Sequence, residues 1–447
     1  MPLFTKYNEV VDDIDPIKYV GRVERVRGLL IESSGPTTTV GELCQIILEK
    51  KGTSIWAEVV GLHGHTVQLM PFSDLEGVEI GSPVVGTGNP LSAPVTEKLL
   101  GRVIDSMGRP MDGLGELGST ENYPCTNIPP SALDRSPIRN QIGTGIRAID
   151  GMLPTGKGQR LGIFAGSGVG KSTLLGMIAR NTNADVNVIA LIGERGREVQ
   201  EFIANDLGPE GLARSVLIVS TGDTPPLSRL RGAYMATAVA EYFRDQGQDV
   251  MLLFDSVTRF ARAQREIGLS IGEAPATRGY PPSVFSTLPR LLERCGTSDK
   301  GTITGFYTIL VDGDDMDEPI ADTVRGILDG HLVLSRKLAE AYHYPAIDVL
   351  GSISRLTPKI TNQDQQKAAG ILRRHLAVYR DHEDLISIGA YSRGSNPQVD
   401  NAIAIYPAIM EFLQQGIEEQ SGLDETWNRL FEITGISPQS PATGEKE

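Results

Sequence analysis

Three glycines within five residues, Gly166, Gly168 and Gly170, run directly into Lys171, Ser172 and Thr173. Such a loop can turn successive backbone N–H groups toward one centre, a curvature that side chains at those positions would obstruct. The lysine adds a point charge suited to the β- and γ-phosphates of a nucleotide, and the Ser172 hydroxyl is a hard oxygen donor for Mg²⁺. Gly166, Ser167, Gly168, Val169, Gly170, Lys171, Ser172 and Thr173 are therefore the candidate nucleotide contacts. The strict phosphate-loop pattern opens on glycine where this chain has Ala165, a residue that most strand-to-turn conformations still accept.

Splitting a phosphoanhydride needs carboxylates as well. DVMLLFDS ends an apolar run on Asp255, at the strand end where open sheets place ligands, so Asp255 is the candidate Mg²⁺-water carboxylate. The alternative role for Asp255 is an N-cap on the following helix, and Asp249 reads as a solvent-facing strand start. GERGREV follows the apolar run VNVIALI, which brings Glu194 out beside the phosphates as the group that polarises water. Arg195 and Arg197 either touch phosphate or pair with Glu194 and Glu198.

These residues must be held by an α/β framework. RLGIFA, VNVIALIG, SVLIVS, DVMLLFD and ITGFYTIL are near-continuous apolar runs, the pattern of parallel strands covered on both faces. Helical stretches such as LRGAYMATAVAEYFRDQ lie between them, and STLLGMIARN opens directly on the glycine loop. Upstream, from Tyr19 to Val85, short β segments cut by glycines predict a small barrel or sandwich. Downstream of Asn362 the segments QQKAAGILRRHLAVYRD and VDNAIAIYPAIMEFLQQGIEE predict helices. The expected divisions are an acidic tail (1–18), a β domain (19–90), the α/β domain (91–361) and a helical domain (362–447) whose last residues, SPQSPATG, read as disordered. In the tail, Leu3, Phe4, Tyr7, Val10 and Val11 fall at spacings of 3 and 4, giving one helical face.

The 447 residues carry 42 Lys and Arg against 56 Asp and Glu, a formal net charge of −14. No global positive field therefore draws the chain to nucleic acid or anionic lipid. The three cysteines, Cys44, Cys125 and Cys295, lie too far apart for a disulfide framework or a zinc site. His63 and His65 are expected on one side of a strand, as surface residues rather than ligands. An EF-hand frame laid on GDDMDEPIAD from Asp312 meets Asp317 where glycine belongs and Thr323 where glutamate belongs, so calcium is rejected. Neither an apolar run long enough to span a bilayer nor a secretory leader is visible, and the expected location is cytoplasmic.

FAGSGVGKST, GERGREV, LLFDSVTRFARA, GYPPSVFSTLPRLLERCG and PAIDVLGSISR together resemble the rotary-type ATPase family, the α/β subunits of ATP synthases and their relatives. GDDMDEPIADTVRGILDGHLVLSRKLA and ISIGAYSRGSNPQVDNAIA resemble most closely the flagellar and type III secretion export ATPases, and the likeness runs from about residue 20 to 435. It implies a β-barrel, a RecA-like P-loop domain and a C-terminal helical domain, assembled as a homohexamer with nucleotide at each interface. Its cofactor and substrate would be Mg²⁺ and ATP. By position, Lys171 and Ser172 match the phosphate-loop lysine and the Mg²⁺ hydroxyl, Glu194 the water-orienting carboxylate, and Asp255 the Mg²⁺-water carboxylate. Arg195 and Arg259 match arginines facing the phosphates, and Arg355 matches an arginine finger reaching into a neighbour's site.

The implied function is an ATP-hydrolysing motor of protein export at the cytoplasmic face of the inner membrane. Implied partners are a stator-like regulator on the tail, central-stalk proteins, the export gate, chaperones and exported substrates. The competing readings are a catalytic subunit of an ion-coupled rotary ATP synthase, a RecA-type nucleic-acid translocase and a non-catalytic ring subunit. The acidic DELSEED loop of the proton-driven β subunit has no counterpart in LISIGAYSRGSNP, which favours export. In those β subunits adenine stacks on an aromatic after the arginine finger. The corresponding segment here, TNQDQQKAAG, has Gln366 and no aromatic, which leaves the base contacts open.

Overall fold

A computed structural model describes residues 20–437 except 312 and 314. The expected helical face of the N-terminal tail, the C-terminal tail from residue 438, and Asp312 and Asp314 of the rejected calcium frame lie outside the described residues.

Strands β1 (Val20–Arg27), β2 (Leu30–Ser33), β3 (Glu42–Leu48), β4 (Thr53–His63), β5 (Thr66–Pro71) and β6 (Pro83–Pro90) close into a barrel. Their order is β1-β2-β5-β4-β3-β6, with β6 pairing back onto β1. Strand β3, ELCQIIL, alternates strictly between buried and half-buried residues, as one lined face of a barrel requires. Val23, Ile31, Cys44, Ile46, Ala57 and Leu69 fill the interior. His63 ends β4, whereas His65 lies in the turn to β5 after Gly64. The two histidines do not share a strand face, because the left-handed Gly64 reverses the chain between them.

The central domain is built on strands β7 (Val103–Ile104), β8 (Arg160–Ala165), β9 (Val186–Ile192), β10 (Ser215–Ser220), β11 (Asp249–Asp255), β12 (Thr302–Leu310), β13 (Gly330–Leu334) and β14 (Ile353–Ser354). Their spatial order is β14-β13-β8-β12-β11-β9-β10-β7. Every neighbouring pair is parallel except β13 and β14. Every residue of β9 is buried, because alternate side chains enter two separate cores. Val188, Ala190 and Ile192 join the layer under helices α4 (Pro226–Asp245) and α5 (Val257–Ser270), while Ile189 and Leu191 join the layer under α2 (Lys171–Asn181).

Helices α6 (Gln363–Ser387), α7 (Pro397–Leu413) and α8 (Leu423–Thr434) form the C-terminal bundle. A reciprocal capping box between Asn362 and Gln365 starts α6. Tyr379 of α6 stacks on Tyr406 of α7, ring centroids 3.5 Å apart and planes 9° from parallel. The bundle docks on the short helix α1 (Arg147–Met152), where Arg147 Nε donates to Phe412 O at 3.0 Å and the guanidinium pairs with Glu419. Arg147 thereby satisfies carbonyls at the C-terminus of α7 that have no partner inside the helix. Among the described residues no helix is long and apolar enough to cross a membrane, and all three cysteines are buried and free.

Candidate active site

The glycine loop leaves β8 at Ala165 and enters α2 at Lys171. Gly168 and Gly170 hold φ angles of 77° and 86°, the left-handed region that side chains disfavour. Alternating such residues with ordinary ones turns consecutive N–H groups inward, the backbone form of an anion cradle at a helix N-terminus.

The loop lies at the same sheet edge as the two carboxylates. Strand register sets Leu191 of β9 beside Asp255 at the end of β11, so Glu194, three residues on, emerges at that edge. Lys171 Nζ lies 2.5 Å from Asp255 Oδ1 and 3.5 Å from Glu194 Oε1. Asp255 Oδ1 also accepts from Thr308 Oγ1 at 2.7 Å. The N-cap role open to Asp255 belongs instead to Ser256, whose hydroxyl accepts from Arg259 N and starts α5.

That start aims Arg259 back at the loop after β9. Its Nη2 lies 3.2 Å from Glu194 Oε2, and Nη1 donates to Gly193 O. A Cβ on Gly193 would stand 2.8 Å from Arg259 Cδ, which accounts for the glycine before Glu194. Arg259 Nε is buried and has no hydrogen-bond partner among the described residues.

Burial is the main reason that the Glu194 carboxyl is pushed up to about 7, and the nearby Asp255 charge adds to it. Lys171 and Arg259 oppose that rise. A carboxyl poised near neutrality beside a phosphate cradle suits a group that orients or deprotonates water.

The site is suited to a magnesium nucleotide. Asp255 and Ser172 line one small cleft with Glu194, giving two hard oxygen donors at the mouth of the cradle. Among the described residues no group of three or more His, Cys, Asp or Glu side chains is arranged to hold a metal alone. Mg²⁺ held with a nucleotide needs only one or two protein oxygens, the rest of its shell being phosphates and water. The orphaned Arg259 N–H and the lysine clamped between two carboxylates both have hydrogen-bonding capacity that a phosphate group would complete.

Other sequence candidates lie outside this cluster. The Arg195 side chain is 80% exposed and pairs with Glu198 at 3.0 Å, while Arg197 of helix α3 (Gly196–Glu201) pairs with Glu201. Arg355 is exposed. Its backbone N donates to Asp329 O, and its Nη2 lies 3.4 Å from Arg325 O. Asp329 also bonds Arg160, the first residue of β8, so Arg355 lies at the opposite sheet edge from the loop.

Sequence reasoning missed the wall of the adjoining cavity, which has a volume of about 800 Å³. Gly168, Gly170 and Thr173 form its floor, Met177 and Tyr344 its apolar sides, and Gln414 to Ile417 its rim from the helical bundle. Tyr344 Cε1 comes within 3.3 Å of where a Gly170 Cβ would be. Tyr344 lies before Arg355 in the chain. Gln366 donates to Thr361 O at 2.9 Å and lines a separate hollow with Lys367 and Arg374. The available signal was HYPAID, two aromatic-ring residues before a proline, which no helical or strand period explains.

Residues 145–354 match the ATP synthase alpha/beta family, nucleotide-binding domain, and residues 23–88 match that family's beta-barrel domain. Residues 361–432 match the T3SS EscN ATPase C-terminal domain. The chain is 57% identical to a "Flagellum-specific ATP synthase" of Treponema pallidum, over 99% of each chain. It is 49% identical to a "Type 3 secretion system ATPase" of Xanthomonas euvesicatoria, over 93% of this chain and 94% of that one. The assembled ATPase EscN of the enteropathogenic E. coli type III secretion system superposes with a TM-score of 0.87 at 44% identity, covering 93% of this chain and all of that one. EscN in complex with its central stalk EscO gives 0.86 at 43% identity, with the same coverage.

Proposed function

The chain belongs to the ATP synthase alpha/beta family, among the flagellum-specific ATP synthases and type III secretion ATPases, and we propose how its residues hydrolyse ATP to drive flagellar-type protein export. Lys171 and the loop N–H groups hold the β- and γ-phosphates, releasing the lysine from Asp255 and Glu194. Ser172 and Asp255 would hold the Mg²⁺ site, and the ion, when bound, neutralises charge on the phosphate oxygens. Glu194, ionised, orients the attacking water and takes up its proton. Arg259 keeps Glu194 in place and offers its free N–H to the phosphates.

The base is assigned to the cavity under Tyr344, since it opens beside the same glycines and its volume is in the range of small-molecule pockets. Arg355 completes a neighbouring subunit's site, within a ring of six identical chains around a central stalk protein. Residues 1–18 dock a stator-like regulator, and the ring works at the cytoplasmic face of the inner membrane, receiving substrates from chaperones for the export gate.

One observation carries the catalytic reading: a lysine, two carboxylates and an arginine converge at the mouth of a phosphate cradle. Lys171→Ala is expected to abolish ATP binding, because the lysine meets phosphate in the ground state. Glu194→Gln should keep binding and lower kcat by about 10²- to 10⁴-fold. A Glu194→Gln enzyme with wild-type kcat would remove Glu194 from its role. RNA or single-stranded DNA should leave hydrolysis unchanged, in keeping with the net charge of −14.

A further inference from the structure

Tyr342 closes the short helix Arg336–Glu340. Its N–H donates to Ala339 O at 3.0 Å, and the next N–H, of His343, donates to Leu338 O at 2.9 Å. That pair of bonds defines a helix stop whose turning residue is ordinarily glycine. Here it is a tyrosine at φ 59°, a backbone in which Cβ crowds the following carbonyl. Burial does not offset the strain, since Tyr342 is 86% exposed. Its ring meets Tyr344 edge-on, with centroids 5.8 Å apart and planes 86° from parallel.

Both rings line the cavity beside Gly168 and Gly170. His343 between them is buried, with Nδ1 3.3 Å from Gln414 Nε2, so the segment is anchored from the helical bundle as well. We infer that Tyr342 is a second aromatic contact for the nucleotide base, sharing it with Tyr344 at the cavity mouth. The inference rests on the assignment of this cavity to the base. Two perpendicular rings offer a flat ligand one face to stack on and one edge to meet, and both contacts are favourable to aromatic systems. Tyr342 would then be a specificity residue that inorganic triphosphate does not engage.

Full-length Tyr342→Gly, Tyr342→Phe and Tyr344→Ala proteins test this. The readouts are ATP affinity by calorimetry, competition by inorganic triphosphate, kcat and KM, Tm, and self-association by sedimentation. Tyr342→Gly should weaken ATP binding by about 3- to 10-fold and raise KM with little change in kcat. Triphosphate affinity should be unchanged and Tm at or above that of the parent, because glycine relieves the left-handed strain. Tyr342→Phe should bind ATP like the parent.

Unchanged ATP affinity in Tyr342→Gly, with a loss in Tyr344→Ala, would overturn the inference and leave the base pocket standing. Equal weakening toward ATP and triphosphate would overturn it by placing the effect on the glycine loop. An effect traced wholly to weaker self-association would overturn it in favour of a subunit contact. If Tyr344→Ala also leaves ATP affinity unchanged, the pocket assignment itself fails.

Discussion

Glu194 must be ionised to act on water, yet burial and the neighbouring Asp255 keep its proton bound up to about pH 7. The sign follows directly: the raised value favours the protonated, inactive form, so activity is present above pH 7 and is lost as the pH falls through it. Because kcat/KM reports groups of the free enzyme, we expect it to drop about tenfold per unit below that inflection. In Glu194→Gln the residual rate should lose the inflection; an acid limb that persists in the variant assigns the titration to another group. At this scale the sequence was readable wherever chemistry dictates residue order. Lys171, Ser172 and Glu194 follow apolar strands and Asp255 ends one, and strand ends are where open sheets gather ligands. It was not readable for arginines, whose long side chains reach in several directions. Arg259 turns toward Glu194 because Ser256 starts its helix, whereas Arg195, one residue after Glu194, points into solvent.

Helix α4 carries the layer of core beneath β9, β10 and β11, and near its C-terminal end it buries a charge. Glu241 and Arg294 form a bidentate pair at 2.6 and 2.8 Å, each side chain 1% exposed, and Arg294 Nη1 also donates to Cys125 O at 2.6 Å. Asn127 adds a hydrogen bond to Glu241, so the pair ties α4 to the connection that follows the barrel. Removing one partner leaves an uncompensated buried guanidinium, and Glu241→Gln is expected to destabilise the protein by about 3–5 kcal/mol. Denaturant unfolding measures this; a loss below 1 kcal/mol would mean that water or a shifted loop solvates Arg294. Neither side chain belongs to the Lys171 cluster, so ATP affinity well below the melting temperature should hold.

Elements themselves were legible in proportion to their length and pattern. The five long parallel strands read as continuous apolar runs because both faces of the sheet are covered. Val103–Ile104 was invisible as a strand: two residues have no period, and only the edge of β10 recruits them. The cavity beside the glycine loop was illegible for a related reason, since its walls come from five separate segments that only the folded chain brings together.

The whole-molecule question is why a single chain with this cluster should hydrolyse slowly. In the proposed site Lys171 meets the ground-state phosphates and Arg259 is tied to Glu194 and Gly193 O, so a further cation is needed for the charge that develops as the γ-phosphoryl leaves. Arg355 cannot supply it within its own subunit. It stands level with Arg160, at the start of β8, whereas the loop begins after Ala165 at the other end. Five residues of strand separate them by about 16 Å, and the guanidinium turns away toward Arg325 O. On the proposed reading, the exposed arginine at one sheet edge completes the site at the other edge of a neighbouring copy in a closed ring. Specific ATPase activity should therefore rise with protein concentration, following the population of rings. Arg355→Ala should flatten that rise, lowering kcat by about 10³- to 10⁵-fold, with sedimentation showing assembly intact. Mixing is the sharper measurement. Lys171→Ala and Arg355→Ala are each nearly inactive alone, yet a mixed ring contains interfaces pairing an intact loop with an intact arginine. Hydrolysis should partly recover on mixing. Rings shown to be mixed but still inactive would place the missing cation elsewhere.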